Sequence, residues 1–210
     1  MLLAGALIDS ILFFYYVHTM KKNLYHTFGL ILVTIICVSC SAKNAHANTA
    51  SKNTLSDLMS YGFYLYEKPI DLVDFNLPAL DGAAAIKPES FIGKIGLLNF
   101  WATWCPPCRS EMPSIERLYK AMNKEKFIIA AINVGETQTA VTEFIRKNNY
   151  TFPIYLDQKN TIASIFAARG IPATYVINKA GKVIAVRPGA MEYDQPKLIE
   201  IFKNLTNADE

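Results

Sequence analysis

The spacing of apolar and polar residues divides the chain into an apolar leader, a polar stretch and a region of alternating strand-like and helix-like patterns. Apolar segments fill residues 1–19 and Phe28 to Val38, with Met20-Lys21-Lys22 between them. Residues 42–68 are polar and then mixed, and their Ser/Asn/Ala/Lys start reads as a tether. Within them, Leu55 to Tyr66 has the Tyr/Phe content of a short helix docked on the domain. From residue 70 the pattern is that of an α/β domain. Asp74 to Gly82 alternates and turns at Asp-Gly, as the first half of a β-hairpin does. Leu97 to Trp101 is a short apolar run, a buried strand. Glu111 to Met122 places Met112, Ile115, Leu118, Tyr119 and Met122 on one helical face. Lys126 to Val134 predicts a β-branched strand, Thr137 to Asn148 a helix, Thr151 to Asp157 a short strand and Thr161 to Ala168 a short helix. Ala173 to Ile177 is an apolar strand headed by Pro172, Lys179 to Lys182 turns into Val183 to Val186, and Asp194 to Leu205 closes the chain as a helix.

Composition changes this picture little. The 210 residues allow one domain behind a leader, and a formal net charge of +3 gives no reason to expect a nucleic-acid partner. No internal repeat is visible. The cysteines are more telling, because the four of them fall into two pairs, Cys37/Cys40 in the leader and Cys105/Cys108 in the domain.

The second pair sits where a buried strand runs into a helix. A thiol at a helix N-terminus faces unpaired backbone N–H groups and the positive end of the macrodipole, which stabilise a thiolate. A dithiol that exchanges electrons needs one exposed, partly ionised cysteine, here Cys105, and a second one turn away, Cys108. Pro106 and Pro107 lack N–H groups, so the nearest backbone donors are those of Cys108 and Arg109. Pro is also pre-shaped for a first helical turn. A structural disulfide or half of a zinc site is the competing reading. Zinc normally takes two further Cys or His ligands, and His18, His26 and His46 all precede the domain. The motif in this context is redox chemistry, and no metal or other cofactor is implied.

The run FWATWCPPC (Phe100 to Cys108) resembles the active-site segment of thioredoxin-fold proteins. With Arg109, Glu111 and Pro113 it resembles the TlpA/ResA-like thiol–disulfide oxidoreductases of bacterial envelopes, which carry a redoxin/AhpC-TSA-like domain. Asp74 to Gly82 (D-F-x-L-x-x-x-x-G), Phe91 to Lys94 (F-x-G-K) and Asn133 to Glu136 (NVGE) extend the match, which covers about residues 70–205. The resemblance implies a thioredoxin-like α/β fold: a central mixed β-sheet flanked by helices, with an N-terminal β-hairpin and a central αβ insertion containing the 137–148 helix. It implies a redox-active disulfide between Cys105 and Cys108, and a cis-proline loop at Ile171-Pro172 beside Cys105 whose Ile171 backbone pairs with a bound polypeptide. An ordinary trans proline at a strand start is the alternative for Pro172. Trp104, Pro106 and Pro107 would complete the substrate-binding rim.

Asn99 stands where plain thioredoxins carry a buried aspartate, and Glu111 matches the active-site glutamate of the ResA-like proteins. Its carboxylate would raise the thiol pKa values and take a proton during exchange; a solvated first-turn glutamate is the competing reading. Arg109 reads as surface with favouring the thiolate as the second option, Trp101 as core, and Glu136 as a loop residue with gating as the second option. The implied activity is reduction of protein disulfides, with apocytochrome c as one client. The partners are that client and a membrane thiol transporter of the CcdA/DsbD type, and the protein is read as a monomer. A peroxiredoxin-like peroxidase and a copper chaperone on the same fold are the alternatives. The first lacks its P-x-x-x-T/S-x-x-C setting here, the second its C-x-x-x-C and downstream His.

The leader sets the expected location. Met20-Lys21-Lys22 before an apolar core is how a secretory signal begins, so residues 1–19 read as an upstream extension or as an extra apolar segment. Residues 20–47 read as signal peptide, lipoprotein leader or anchor, 48–69 as tether and 70–207 as the domain. Val38-Ser39-Cys40-Ser41 resembles a lipoprotein box with Cys40 as the lipidation candidate, whereas Ala45-His46-Ala47 is a cleavage site of A-x-A type. An uncleaved anchor is the third exit, and all three place the domain outside the cytoplasmic membrane.

Overall fold

The computed structural model describes residues 55–208. Its centre is β2 (Ile95–Trp101), buried along its whole length. Successive side chains of a strand face opposite sides, so β2 feeds two cores. Leu97 and Trp101 join Met112, Ile115, Leu118 and Phe202 on one face. Leu98 and Phe100 join Phe75, Ile86, Phe91 and Ile132 on the other. Gly96 is required by the second core, because a Cβ there would lie 2.4 Å from Cδ1 of the buried Phe91 ring.

The six-stranded mixed sheet adds β1 (Tyr64–Asp71), β3 (Phe127–Val134), β4 (Ile154–Asp157), β5 (Ala173–Ile177) and β6 (Lys182–Pro188), in the order β1-β6-β5-β2-β3-β4. β2, β3 and β4 run parallel, and β5, β6 and β1 are added antiparallel. The helices are α1 (Pro106–Ala121), α2 (Gln138–Asn148), α3 (Ala163–Phe166) and α4 (Pro196–Asn207).

β1 corrects the reading of residues up to 69 as tether. Tyr64 pairs with Val186 and Asp71 with Lys182, so the ordered domain starts ahead of residue 70. The strand escaped the pattern because it is an edge with most of its side chains exposed, leaving no alternation to read. Among the described residues the docked helix covers 55–59, with Leu58 fully buried, and it ends well short of Tyr66. The hairpin that opens at Asp74 closes through one antiparallel bridge, Leu77 to Ile86. Its arm then runs beside β4, with Leu80 N–H donating to Ile154 O at 2.9 Å and Leu156 N–H to Pro78 O at 3.0 Å. The arm thereby covers the β4 edge.

Buried carboxylates tie helices to strands. Asp157, 1% exposed, ends β4 and accepts hydrogen bonds from the backbone of Thr161, Ile162 and Ala163, holding the short α3. Glu116 of α1 accepts from Thr151 N–H and hydroxyl, both at 2.7 Å, and from Phe152 N–H at 3.3 Å. Its salt bridge to Lys120 is 2.9 Å. Burial acts to raise the Glu116 pKa, but the bonds from Thr151 and Lys120 outweigh it and hold the carboxyl below its ordinary value.

Candidate active site

The site is built where β2 ends. Glu136, read from the sequence as a loop residue, pins the segment that follows. Its carboxylate accepts from Thr103 N–H at 2.7 Å, from the Thr103 hydroxyl, and from Asn133 Nδ2 at 2.6 Å. The next turn starts α1 at Pro106, five residues ahead of the apolar periodicity, because Cys105 is the N-cap and accepts from Cys108 N–H at 3.3 Å.

Cys105 and Cys108 form a disulfide. Cys108 is fully buried, and Cys105, expected to be exposed, is only 3% exposed. The second sulfur covers it from within the helix, and the 171–172 loop lies against it, with Cys105 Sγ 3.8 Å from Ile171 O. The Ile171–Pro172 peptide is cis. Trp104 (66% exposed), Pro106 and Pro107 stand in solvent around the sulfurs, and Ile171 is half-buried. The expected rim is thus assembled in one place. Cys40 lies outside the described residues.

Glu111 is one turn beyond Cys108 on the buried face of α1 and is 1% exposed, so the solvated first-turn reading is wrong. Asn99 Nδ2 donates to Glu111 Oε1 at 2.8 Å and to Thr174 Oγ1 at 2.8 Å. Met191 N–H donates to Glu111 Oε2 at 3.3 Å. Burial pushes the carboxyl up from 4.5 to about 7, against the bonds from Asn99 and Met191 and the field of Arg187, and with Glu192 adding to the rise. Glu111 is thus divided between its two protonation states at neutral pH.

The sequence reading missed Thr174 and Tyr193. The Tyr193 hydroxyl donates to Thr174 Oγ1 at 2.6 Å, and Tyr193 N–H donates to Ser114 Oγ at 3.0 Å. Ser114 Oγ in turn donates to Glu111 O at 2.7 Å. The connection from β6 to α4 is therefore laced onto α1 over the glutamate, with fully buried Tyr193 as its peg. No local motif announces a tyrosine 85 residues beyond the cysteine pair. Among the described residues no three His, Cys, Asp or Glu side chains converge to hold a metal ion.

A mixed sheet that ends in a dithiol at a helix N-terminus, beside a cis-proline loop, defines a thioredoxin-like thiol–disulfide oxidoreductase. The chain belongs to the AhpC/TSA family, whose model matches residues 71–186. It is 30% identical over 190 residues to the thiol-disulfide oxidoreductase ResA of Bacillus subtilis (strain 168), covering 90% of this chain and 97% of that one. It is 36% identical over 124 residues to ResA of Geobacillus thermodenitrificans, covering 59% and 71%. The structure of StoA from Bacillus subtilis superposes with a TM-score of 0.54 at 28% identity, over 63% of this chain and 98% of that one. A putative thiol:disulfide interchange protein DsbE from Chlorobium tepidum matches with a TM-score of 0.59 over 67% and 99%. At 23% identity it speaks for the fold alone.

Proposed function

We propose that the protein is a reductant of protein disulfides working outside the cytoplasmic membrane. The observation that carries this reading is the dry surroundings of the dithiol: two nearly inaccessible sulfurs with a buried carboxyl one turn away. Strong oxidants of this chemistry owe their potential to a stabilised reduced form, with a thiolate held at low pKa. Burial and a nearby carboxylate work the other way, raising thiol pKa values and leaving the reduced form poorly stabilised. Such a pair gives electrons away.

In the mechanism, the Cys105 thiolate attacks a client disulfide and expels one client thiolate, leaving a mixed disulfide along the Ile171-Pro172 backbone. Cys108 then loses its proton to the Glu111 carboxylate, attacks Cys105 Sγ and releases the second client thiolate. The client gains two electrons and leaves as two thiolates; one takes the Cys108 proton held on Glu111, the other takes from solvent the proton that Cys105 gave up on ionising, and the Cys105–Cys108 disulfide remains. A membrane thiol transporter of the CcdA/DsbD type resets it. Trp104, Pro106 and Pro107 form the rim against which the client rests. Apocytochrome c, whose haem-attachment cysteines must be reduced, is the client class we assign by family resemblance. Export rests on residues 20–47, with Cys40 as lipid anchor and residues 48 onward leading into the domain.

Cys108→Ser tests the order of attack. It should accumulate a mixed disulfide through Cys105 that dithiothreitol releases, whereas Cys105→Ser should trap nothing. Equal trapping by both variants would contradict the assignment.

A further inference from the structure

Cys105 has a second flank, away from the Ile171-Pro172 loop. An open cleft of about 480 Å³ lies between α1 and the end of α2, lined by Pro106, Arg109, Pro113, Phe144, Asn148 and Tyr150, with Ser110 at its edge. It starts one residue from the first sulfur. Its apolar surface is given by Phe144 and Tyr150, ring centroids 6.4 Å apart, with Pro106 and Pro113, and the two rings are backed by the buried Trp101 and Phe152.

The charge of the lining is one-sided. Arg109 is its only charged residue, and it is exposed. Among the described residues its guanidinium makes no salt bridge; those ion pairs involve Arg117, Lys120, Lys182 and Lys197. The adjacent carboxylate, Glu116, is taken up by Thr151, Phe152 and Lys120. Asn148 Nδ2 donates one of its two N–H groups to Phe144 O at 2.8 Å. The fork of donors on Arg109 is therefore open at the mouth of an aromatic cleft, a setting matched by a carboxylate next to an apolar side chain.

We propose that this cleft is a selectivity subsite for the polypeptide exchanging with Cys105, taking an apolar side chain over Phe144 and Tyr150 and an Asp or Glu side chain onto Arg109. The proposal rests on the thiol–disulfide exchange reading and adds the class of partner: segments with an acidic residue flanking the reactive cysteine. The cis-proline loop grips a client through its backbone and is blind to such a difference. The cleft supplies side-chain discrimination.

The test uses the reduced full-length chain and short disulfide-linked peptides identical except for a Glu or a Lys beside the cysteine. It reads the ratio of the two kcat/KM values, which is unaffected by any change in the intrinsic reactivity of Cys105. The wild type should prefer the Glu peptide by about fivefold at low salt, the preference fading as salt is added. Arg109→Gln should bring the ratio close to one and Arg109→Glu should invert it. A wild-type ratio near one, or a preference that survives Arg109→Gln, would overturn the subsite. Failure of the wild type to exchange with either peptide would instead overturn the exchange reading, and the subsite with it.

Discussion

Glu111 and Glu116 lie on the same helix, and their surroundings drive them in opposite directions. Glu111 is raised to about 7. Between pH 4.5 and 7 the folded chain keeps a proton that the unfolded chain has released, so Glu111 lowers stability progressively as pH rises through that window. The accumulated cost above pH 7 is about 3 kcal/mol. Glu111→Gln removes it. Denaturant unfolding of the oxidised chain should show the variant gaining on the wild type between pH 4.5 and 7.5, and a gap independent of pH would refute the buried-acid reading. The variant should also lose the inflection near pH 7 in its exchange rate. Tyr193 is tested through the same carboxyl. Tyr193→Phe removes one hydrogen bond, costing about 1 kcal/mol, and leaves the cover in place. Tyr193→Ala opens the core at about 4 kcal/mol and wets the glutamate. The Glu111 titration followed by carboxyl NMR should stay near 7 in the first and fall towards 4.5 in the second. Unchanged midpoints in both would remove Tyr193 from the site.

Between elements, Glu116 is the staple from α1 to the strand that follows α2. Its carboxyl is held below its ordinary 4.5, so its contribution is complete above that pH and is lost as pH falls through the lowered value. Glu116→Gln should cost about 2 kcal/mol at pH 7 and less at the acid end of the folded range, measured by urea unfolding. A cost that is the same at both pH values would mean the charge plays no part. How far elements could be read from sequence follows from what each one buries. β2 and β3 are apolar because both faces are covered, and α1 is striped because one face is, so their patterns announced them. β1 buries almost nothing, so its residues carry the pattern of a tether. The start of α1 at Pro106 is set by a cysteine N-cap rather than by periodicity. In the site, Cys105, Cys108 and Glu111 were legible because they are close in sequence and chemically distinctive. The partners that make Glu111 unusual, Asn99, Thr174, Met191 and Tyr193, come together only through the sheet. The burial of Cys105 was missed for the same reason, since the loop against it arrives 66 residues later.

In the whole molecule an AhpC/TSA-family domain follows a leader proposed to carry it across the membrane. No helix among the described residues is long and apolar enough to cross a membrane. What the domain does there depends on the direction in which electrons flow. The deciding measurement is the reduction potential of the Cys105–Cys108 pair, obtained by equilibrating the full chain with glutathione or dithiothreitol and counting free thiols. The dry, carboxyl-flanked dithiol predicts a value near or below that of thioredoxin, about −270 mV. A value near that of DsbA, about −120 mV, would mean that the reduced form is the stabilised one and that the protein oxidises its clients.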